Sequence, residues 1–250
     1  MYEIEQRLIP PGQGIRAPKK YMDLTPMGAC WHWTANIRAT AGVENHLSYW
    51  LRAQYGTQYI VDSTKIAQAV PDTEVQWHAG PGSAYTNYIK NKYPRGANLS
   101  LIGIELCVNS DGDWNETYKR AVWLGVQLCK KYNWDPYKNF ERHFDCTGKD
   151  CPRMMTRFVA GGETAWKKFL DDVYEGLVEE AEEMAKFVLQ SWMRNGGQKA
   201  VDELAKQGML NTPEMWRTDE ALSDVNRQYL FWMMIEKLST RVKELERKVK

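Results

Sequence analysis

Four stretches in the first half of the chain have the hydrophobic pattern of β-strands. Residues 29–34 and 58–62 have β-type composition, and residues 65–70 alternate apolar and polar positions with a period of two. Asp62, Ser63 and Thr64 lie between the second and third stretches and predict a hairpin turn there. The fourth stretch, residues 100–108, is almost continuously apolar, which is typical of a strand buried on both faces.

Two segments have the pattern of helices. Residues 43–55 can form a helix, and in residues 115–132 the apolar side chains fall on one helical stripe. Strands interleaved with helices predict the α/β class, with a central mixed β-sheet flanked by helices.

The remainder of the chain predicts an all-α C-terminal region. A predicted helix over residues 228–250 has apolar residues at alternating steps of four and three, which is a heptad seam: Phe231, Ile235, Leu238, Val242, Leu245 and Val249. The sequence breaks at residues 160–162, but the helix that follows can still pack on the N-terminal domain. We therefore predict two domains, residues 1–178 and 179–250.

Charge and composition exclude several classes of function. Lys and Arg number 33 and Asp and Glu 32, so the formal net charge is +1 and the usual electrostatic basis for nucleic-acid binding is missing. No apolar run is long enough to predict membrane insertion, and the first residues do not resemble a Sec signal peptide. Five irregularly spaced cysteines argue against a disulfide framework, so we expect synthesis in the cytoplasm with free thiols.

The stretch from His143 to Pro152 combines histidine and cysteine, the side chains that zinc prefers, and its Gly148 and Pro152 predict a loop. A catalytic zinc needs three protein ligands and one open position, so a further ligand must come from another histidine. On the predicted strand 29–34, His32 shares one face with Cys30 and Thr34, which suits a strand that lines a site. From the residues alone, Cys146 and Cys151 both stay candidates for the thiolate.

Glu105 is the only charged residue in the apolar run 101–108. A buried carboxylate without a partner is costly, so such a residue is neutralised, paired or linked to a metal. The raised pKa expected there suits a general acid or base near neutral pH. A purely structural carboxylate, bonded to backbone amides, is the alternative.

Four separated motifs occur in the order found in one enzyme family. They are Cys30–Asn36, Gln76–Gly80, Ser100–Glu105 with Asn109–Asp113, and His143–Arg153. Together they resemble the zinc-dependent N-acetylmuramoyl-L-alanine amidases of the type-2 amidase family, which includes phage endolysins, bacterial autolysins and peptidoglycan-recognition proteins.

The resemblance implies a role for each matching residue. His32, His143 and Cys151 would ligate Zn²⁺, Glu105 would transfer protons, and Lys149 would stabilise the transition state. Trp77 and His78 would contact the substrate, bacterial peptidoglycan. The bond hydrolysed would be the amide bond between N-acetylmuramic acid and L-alanine of the stem peptide. The resemblance also implies a phage or prophage endolysin that reaches the cell wall after release through a holin-type pore.

Two questions remain open at this level. The same fold can serve as a non-catalytic peptidoglycan-binding module, although members of that kind generally lose the cysteine ligand that Cys151 matches. The C-terminal region 179–250 can bind the cell wall or form a homo-oligomer through the helix at 228–250, and the heptad seam favours the homo-oligomer.

Overall fold

The computed structural model describes residues 2–16, 23–192 and 205–206. The chain divides into two compact units, Met1–Glu179 and Glu180–Lys250. The predicted heptad seam of residues 228–250 lies outside the described residues, as does nearly all of the predicted C-terminal region beyond residue 192. The domain boundary between residues 178 and 179 stays a prediction, and the fold below is that of the first unit.

The first unit is built on one mixed sheet of six strands in the order β1-β4-β3-β5-β2-β6. All neighbours are parallel except β3 and β4, which form the predicted antiparallel hairpin. Asp62 stabilises the hairpin turn, because its carboxylate accepts hydrogen bonds from the backbone N–H groups of Thr64 and Lys65. The strands are β1 Ile4–Gln6, β2 Gly28–Trp33, β3 Tyr59–Val61, β4 Ile66–Gln68, β5 Leu101–Leu106 and β6 Phe140–Arg142.

Among the described residues, six α-helices accompany this sheet, and the predicted fold class is confirmed. The helix predicted at 43–55 ends earlier, at Trp50, and the helix predicted at 115–132 begins one residue earlier. Asp113 caps the latter by accepting from the N–H of Asn115 at 2.8 Å. The helices are α1 Val43–Trp50, α2 Asn87–Lys92, α3 Trp114–Tyr132, α4 Pro136–Asn139, α5 His143–Thr147 and α6 Gly162–Trp192.

The main hydrophobic core lies on the sheet face that contains Trp31. Apolar side chains of β5 and α3 pack there, and Phe169 and Val173 of α6 complete the cluster. The helix that follows the break at 160–162 is therefore part of this core, as the sequence allowed. The predicted burial of β5 on both faces is also confirmed, because every residue of β5 except Glu105 is buried.

Two strands of the sheet differ from the sequence prediction. β1 and β6 were not predicted, since a three-residue strand is too short to show alternation. β6 also contains two buried charges, Glu141 and Arg142. Each is compensated: Glu141 accepts from the hydroxyl of Tyr93, and Arg142 pairs with Asp145.

Candidate metal centre

His32 and Glu105 face the same region from adjacent strands. They are register partners in the parallel pair formed by β2 and β5. Because partners in register point to the same face, both side chains lie on the face opposite the Trp31 core. The predicted alternation along β2 is confirmed, since Trp31 lies in the main core and Cys30 belongs to a separate cluster on the other side.

His143 and Cys151 reach the same region through a short helix and a tight return of the chain. β6 pairs with β2, and α5 begins at His143 directly after β6. Gly148 ends α5 in a left-handed conformation with φ of 78°, and the N–H of Phe144 then donates to the carbonyl of Cys151 at 2.8 Å. The sequence predicted a loop over 143–152, and this is corrected: the first five residues of that stretch are helical.

These elements bring three donor atoms together. The Nδ1 atoms of His32 and His143 lie 3.0 Å apart, and the Sγ of Cys151 lies 3.7 Å from Nδ1 of His32. All three atoms lie within 4.8 Å of one another. The three residues are only 2%, 6% and 2% exposed.

The spacing of these atoms fits a tetrahedral zinc ion. Bonds of about 2.0–2.1 Å to nitrogen and about 2.3 Å to sulfur place two nitrogens about 3.3 Å apart and a nitrogen and a sulfur about 3.6 Å apart. The observed distances of 3.0 Å and 3.7 Å are close to these values. The donor set of two imidazoles and one sulfur is also one that zinc prefers.

The electrostatics of the pocket keep both imidazoles neutral, as metal ligation requires. Burial lowers the pKa of His32 well below its usual range, and the nearby rings of His78 and His143 lower it further. Burial, followed by the charge of Lys149, lowers the pKa of His143 to about 3. Burial raises the pKa of the Cys151 thiol to about 12, so this thiol loses its proton only when a cation compensates the charge.

Glu105 has one fully buried carboxylate oxygen. Its Oε2 has no hydrogen-bond partner among the described residues. Burial raises the pKa of Glu105 to about 8, and the charge of Lys149 opposes that rise. A carboxylate with a free oxygen and a pKa near neutrality is able to accept and return a proton.

Lys149 is exposed and lies two residues before Cys151 in the chain. Its positive charge acts on Glu105, on His143 and on Cys151, and it lowers the pKa of each of them. A positive charge of this kind is suited to stabilise negative charge that develops beside the buried donors.

A cavity of about 460 Å³ opens next to Glu105. Trp77 lines it and is 37% exposed, and two further aromatic residues on its wall, Tyr49 and Tyr55, are 60% and 65% exposed. Exposed aromatic faces beside a buried carboxylate suit contact with a large ligand that has both apolar and polar groups. The substrate-contacting role of Trp77 stays a prediction that this position supports.

His78 also borders the cavity, but both of its ring nitrogens are engaged within the protein. Its Nδ1 lies 2.9 Å from Nε2 of His32, and its Nε2 lies 3.1 Å from the carbonyl oxygen of Leu101. No pattern in the sequence indicated this contact with His32. The predicted contact of His78 with substrate stays a prediction.

The other cysteine considered for the site, Cys146, lies away from the three donors. Its Sγ is 3.8 Å from that of Cys30, and both residues are buried in one apolar cluster. A second group of close donors, Cys30 with His32 and His78, shares His32 with the first group. All five cysteines lie in the described residues, and all are free thiols, as expected.

The family comparison covers all of these residues. The sequence model of the Amidase_2 family, N-acetylmuramoyl-L-alanine amidase, matches residues 23–154, which is just over half of the chain. The chain belongs to this family. The proposed ligands, Glu105 and Lys149 all fall inside the matched range.

Curated amidases of Bacillus subtilis strain 168 are similar to the chain. N-acetylmuramoyl-L-alanine amidase BlyA is 35% identical over 131 residues, covering 48% of this chain and 35% of BlyA. N-acetylmuramoyl-L-alanine amidase XlyA is 32% identical over 157 residues, covering 62% of this chain and 48% of XlyA. The chain thus spans half or less of the length of these amidases.

Solved structures of amidase-family proteins show the same fold. The catalytic domain of XlyA matches with a TM-score of 0.56 at 29% identity, covering 68% of this chain and 99% of that domain. A mutant endolysin from Bacillus subtilis matches with a TM-score of 0.57 at 27% identity, covering 69% of this chain and 99% of that structure. The similarity therefore covers the unit that holds the candidate metal centre.

Proposed function

We propose that this amidase-family chain is a zinc-dependent peptidoglycan hydrolase that cleaves the amide bond between N-acetylmuramic acid and L-alanine of the stem peptide. The single observation that carries the proposal is the convergence of His32, His143 and Cys151 beside Glu105. His32 and Glu105 are register partners, and the three donor atoms lie within 4.8 Å of one another.

His32, His143 and Cys151 would hold the ion. Bound zinc lowers the pKa of a coordinated water from about 16 to about 7 and polarises a carbonyl group. The two imidazoles are neutral and buried, so they can bind the ion without first losing a proton.

Glu105 would transfer the proton, and Lys149 would stabilise the developing negative charge. Glu105 accepts a proton from the attacking water at its carboxylate and returns that proton to the departing amine of L-alanine. Lys149 supplies a fixed positive charge that stabilises the negative charge developing on the amide oxygen. The cavity beside Glu105, with Trp77 on its wall, would hold the muramyl and peptide groups on either side of the bond.

The catalytic reading is favoured over a non-catalytic binding module on the same fold. A binding module needs only the cavity, whereas the cysteine donor and the unpartnered carboxylate serve hydrolysis. The Sγ of Cys151 is present and lies 3.7 Å from Nδ1 of His32, and Oε2 of Glu105 has no hydrogen-bond partner in the part of the chain that the structure describes.

The proposed place of action is the bacterial cell wall, as for a phage or prophage endolysin that is released through a holin-type pore. No helix in residues 2–16, 23–192 or 205–206 has the length and apolar character needed to cross a membrane. The substrate itself lies outside the cell membrane.

The C-terminal region, 179–250, is proposed to form a homo-oligomer through the predicted seam at 228–250. Truncation after residue 178 should abolish the oligomer in sedimentation and leave binding to cell walls unchanged. Loss of wall binding with an unchanged oligomeric state would instead assign cell-wall binding to this region.

The decisive experiment is digestion of purified peptidoglycan by the full chain with detection of both free amines and reducing sugars. We expect release of the L-alanine amine without new reducing ends. Removal of metal with a chelator should abolish the release, and added Zn²⁺ should restore it. Amine release that survives both the chelator and the Glu105→Ala substitution would contradict the proposal.

A further inference from the structure

His78 connects the sheet to the candidate zinc ligand His32. The Nε2 of His78 lies 3.1 Å from the carbonyl oxygen of Leu101 in β5, and its Nδ1 lies 2.9 Å from Nε2 of His32. The other nitrogen of His32, Nδ1, is the atom that faces Cys151 and His143. One chain of contacts therefore runs from a backbone carbonyl to the donor atom of a ligand.

The hydrogen-bonding roles along this chain follow from the carbonyl at its end. A carbonyl oxygen only accepts, so Nε2 of His78 must carry the hydrogen. A neutral imidazole has one N–H, and Nδ1 of His78 is therefore an acceptor. Nε2 of His32 must then donate to it, which leaves Nδ1 of His32 without a hydrogen and with its lone pair directed at the metal position.

Gly103 provides the space in which the His78 ring lies. A Cβ atom on Gly103 would be 2.7 Å from Cδ2 and 2.8 Å from Cγ of His78, closer than carbon atoms approach. Any other residue at this position would therefore displace the His78 ring, and with it the methyl group of Thr57, whose Cγ2 would lie 2.8 Å from the same Cβ. The need for this space explains why a glycine occurs at position 103, within a mostly apolar strand.

The backbone around His78 is fixed by hydrogen bonds to the side chain of Asn98. The side-chain oxygen of Asn98, which is 1% exposed, accepts from the N–H groups of His78 and Ala79 at 3.0 Å and 2.8 Å. The amide nitrogen of Asn98 donates to the carbonyl of Gly80 at 2.8 Å. Because both its backbone and its ring are fixed in this way, His78 is suited to orient His32 rather than to move with a bound ligand.

We propose that His78 is a positioning residue that fixes the tautomer and orientation of His32 for zinc, and that Gly103 is required to admit its ring. The proposal rests on the proposed function, because it needs the metal held by His32, His143 and Cys151. Partners of this kind typically change metal affinity by about 10–100-fold when they are removed.

The first test is the zinc affinity of the full chain, measured by competition with a chromogenic chelator. His78→Phe keeps an aromatic ring but removes both hydrogen bonds, and it should weaken zinc binding about 10–100-fold. His78→Gln retains an acceptor for His32 and a donor for Leu101, and it should bind zinc more tightly than His78→Phe. Gly103→Ala leaves His78 chemically intact but displaced, so it should weaken binding as well.

Gly82→Ala is the matched control for the glycine substitution. A Cβ there would meet Tyr85 only at 3.8 Å, an ordinary contact distance, so zinc affinity should not change. Circular dichroism of each variant separates misfolding from weaker binding. If His78→Phe does not fold, the zinc affinity of Gly103→Ala tests the proposal in its place.

The second test reads the tautomer directly by long-range ¹H–¹⁵N correlation of the zinc-loaded protein. We expect His32 to carry its hydrogen on Nε2 in the wild type and to lose this single form in His78→Phe. Unchanged zinc affinity and an unchanged His32 tautomer in His78→Phe and Gly103→Ala, with zinc still bound by the wild type, would overturn this inference alone. A wild type that binds no zinc would overturn the proposed function together with it.

Discussion

Phe169 of α6 packs edge-on against Trp31 of β2, with ring centroids 4.7 Å apart and an angle of 73° between the planes. Both side chains are completely buried. Trp31 is the immediate neighbour of His32 on β2, so the packing of α6 supports the strand that presents a candidate ligand. The helix after the break at 160–162 therefore belongs to the structure that holds the site.

This packing predicts a large loss of stability when the Phe169 ring is removed. Phe169→Ala should lower the free energy of unfolding by about 3–5 kcal/mol, because it creates a cavity in the main core. Denaturant-induced unfolding followed by tryptophan fluorescence measures the change. Phe158→Ala is the control, since that ring is 51% exposed, and its loss should be much smaller. Equal losses in the two variants would show that α6 does not pack as described.

Substitution of Glu105 should separate catalysis from metal binding. Glu105→Gln removes the proton acceptor but keeps the shape of the side chain, so we expect kcat to fall about 10²–10⁴-fold. The zinc content should not change, because Glu105 is not one of the three donors. Glu116→Gln, on the first turn of α3, should have full activity. A Glu105→Gln enzyme with near-normal kcat would remove this residue from the mechanism.

Lys149 should act through its charge on the transition state. Lys149→Met removes the charge with little change in length, and we expect kcat to fall about 10²–10³-fold while KM changes little. Steady-state hydrolysis of a soluble muropeptide gives both constants. Lys138→Met serves as the control because the Lys138 side chain is 80% exposed and forms a surface ion pair with Asp135. A rise in KM without a fall in kcat would indicate that Lys149 binds substrate instead.

The aromatic wall of the cavity should determine substrate affinity. Trp77→Ala removes an exposed indole beside Glu105, and we expect KM to rise about threefold to tenfold, as for the loss of an aromatic contact of about 0.5–1.5 kcal/mol. Tyr137→Ala, an exposed aromatic residue on α4, should leave KM unchanged. An equal effect of both substitutions, or none of Trp77→Ala, would contradict substrate binding at this wall.

Much of the site could be predicted from local patterns. The alternation along β2 separated the polar face of His32 from the aromatic face of Trp31, because successive side chains of a strand point to opposite sides. The isolated charge of Glu105 in an apolar strand signalled a buried carboxylate, and the structure places its Oε2 without a partner among the described residues. Both signals depend only on neighbours in the sequence.

The remaining features depend on contacts between distant segments, which no local pattern records. The register that pairs His32 with Glu105 is set by the packing of the whole sheet. The His78 ring belongs to a loop, lies against Gly103 of β5 and contacts His32 of β2, so its position depends on three separate segments. The short helix α5 was predicted as a loop, because its five residues are fixed by the Arg142–Asp145 interaction and by the left-handed Gly148 rather than by helical periodicity.

The account depends above all on one zinc ion at His32, His143 and Cys151. Anomalous scattering at the zinc absorption edge, collected from crystals of protein grown with Zn²⁺ in the medium, tests this most directly. We predict a single strong peak within bonding distance of Nδ1 of both histidines and Sγ of Cys151, which the Cys151→Ser substitution weakens or removes. An absent peak, or one coordinated by other side chains, would contradict the account.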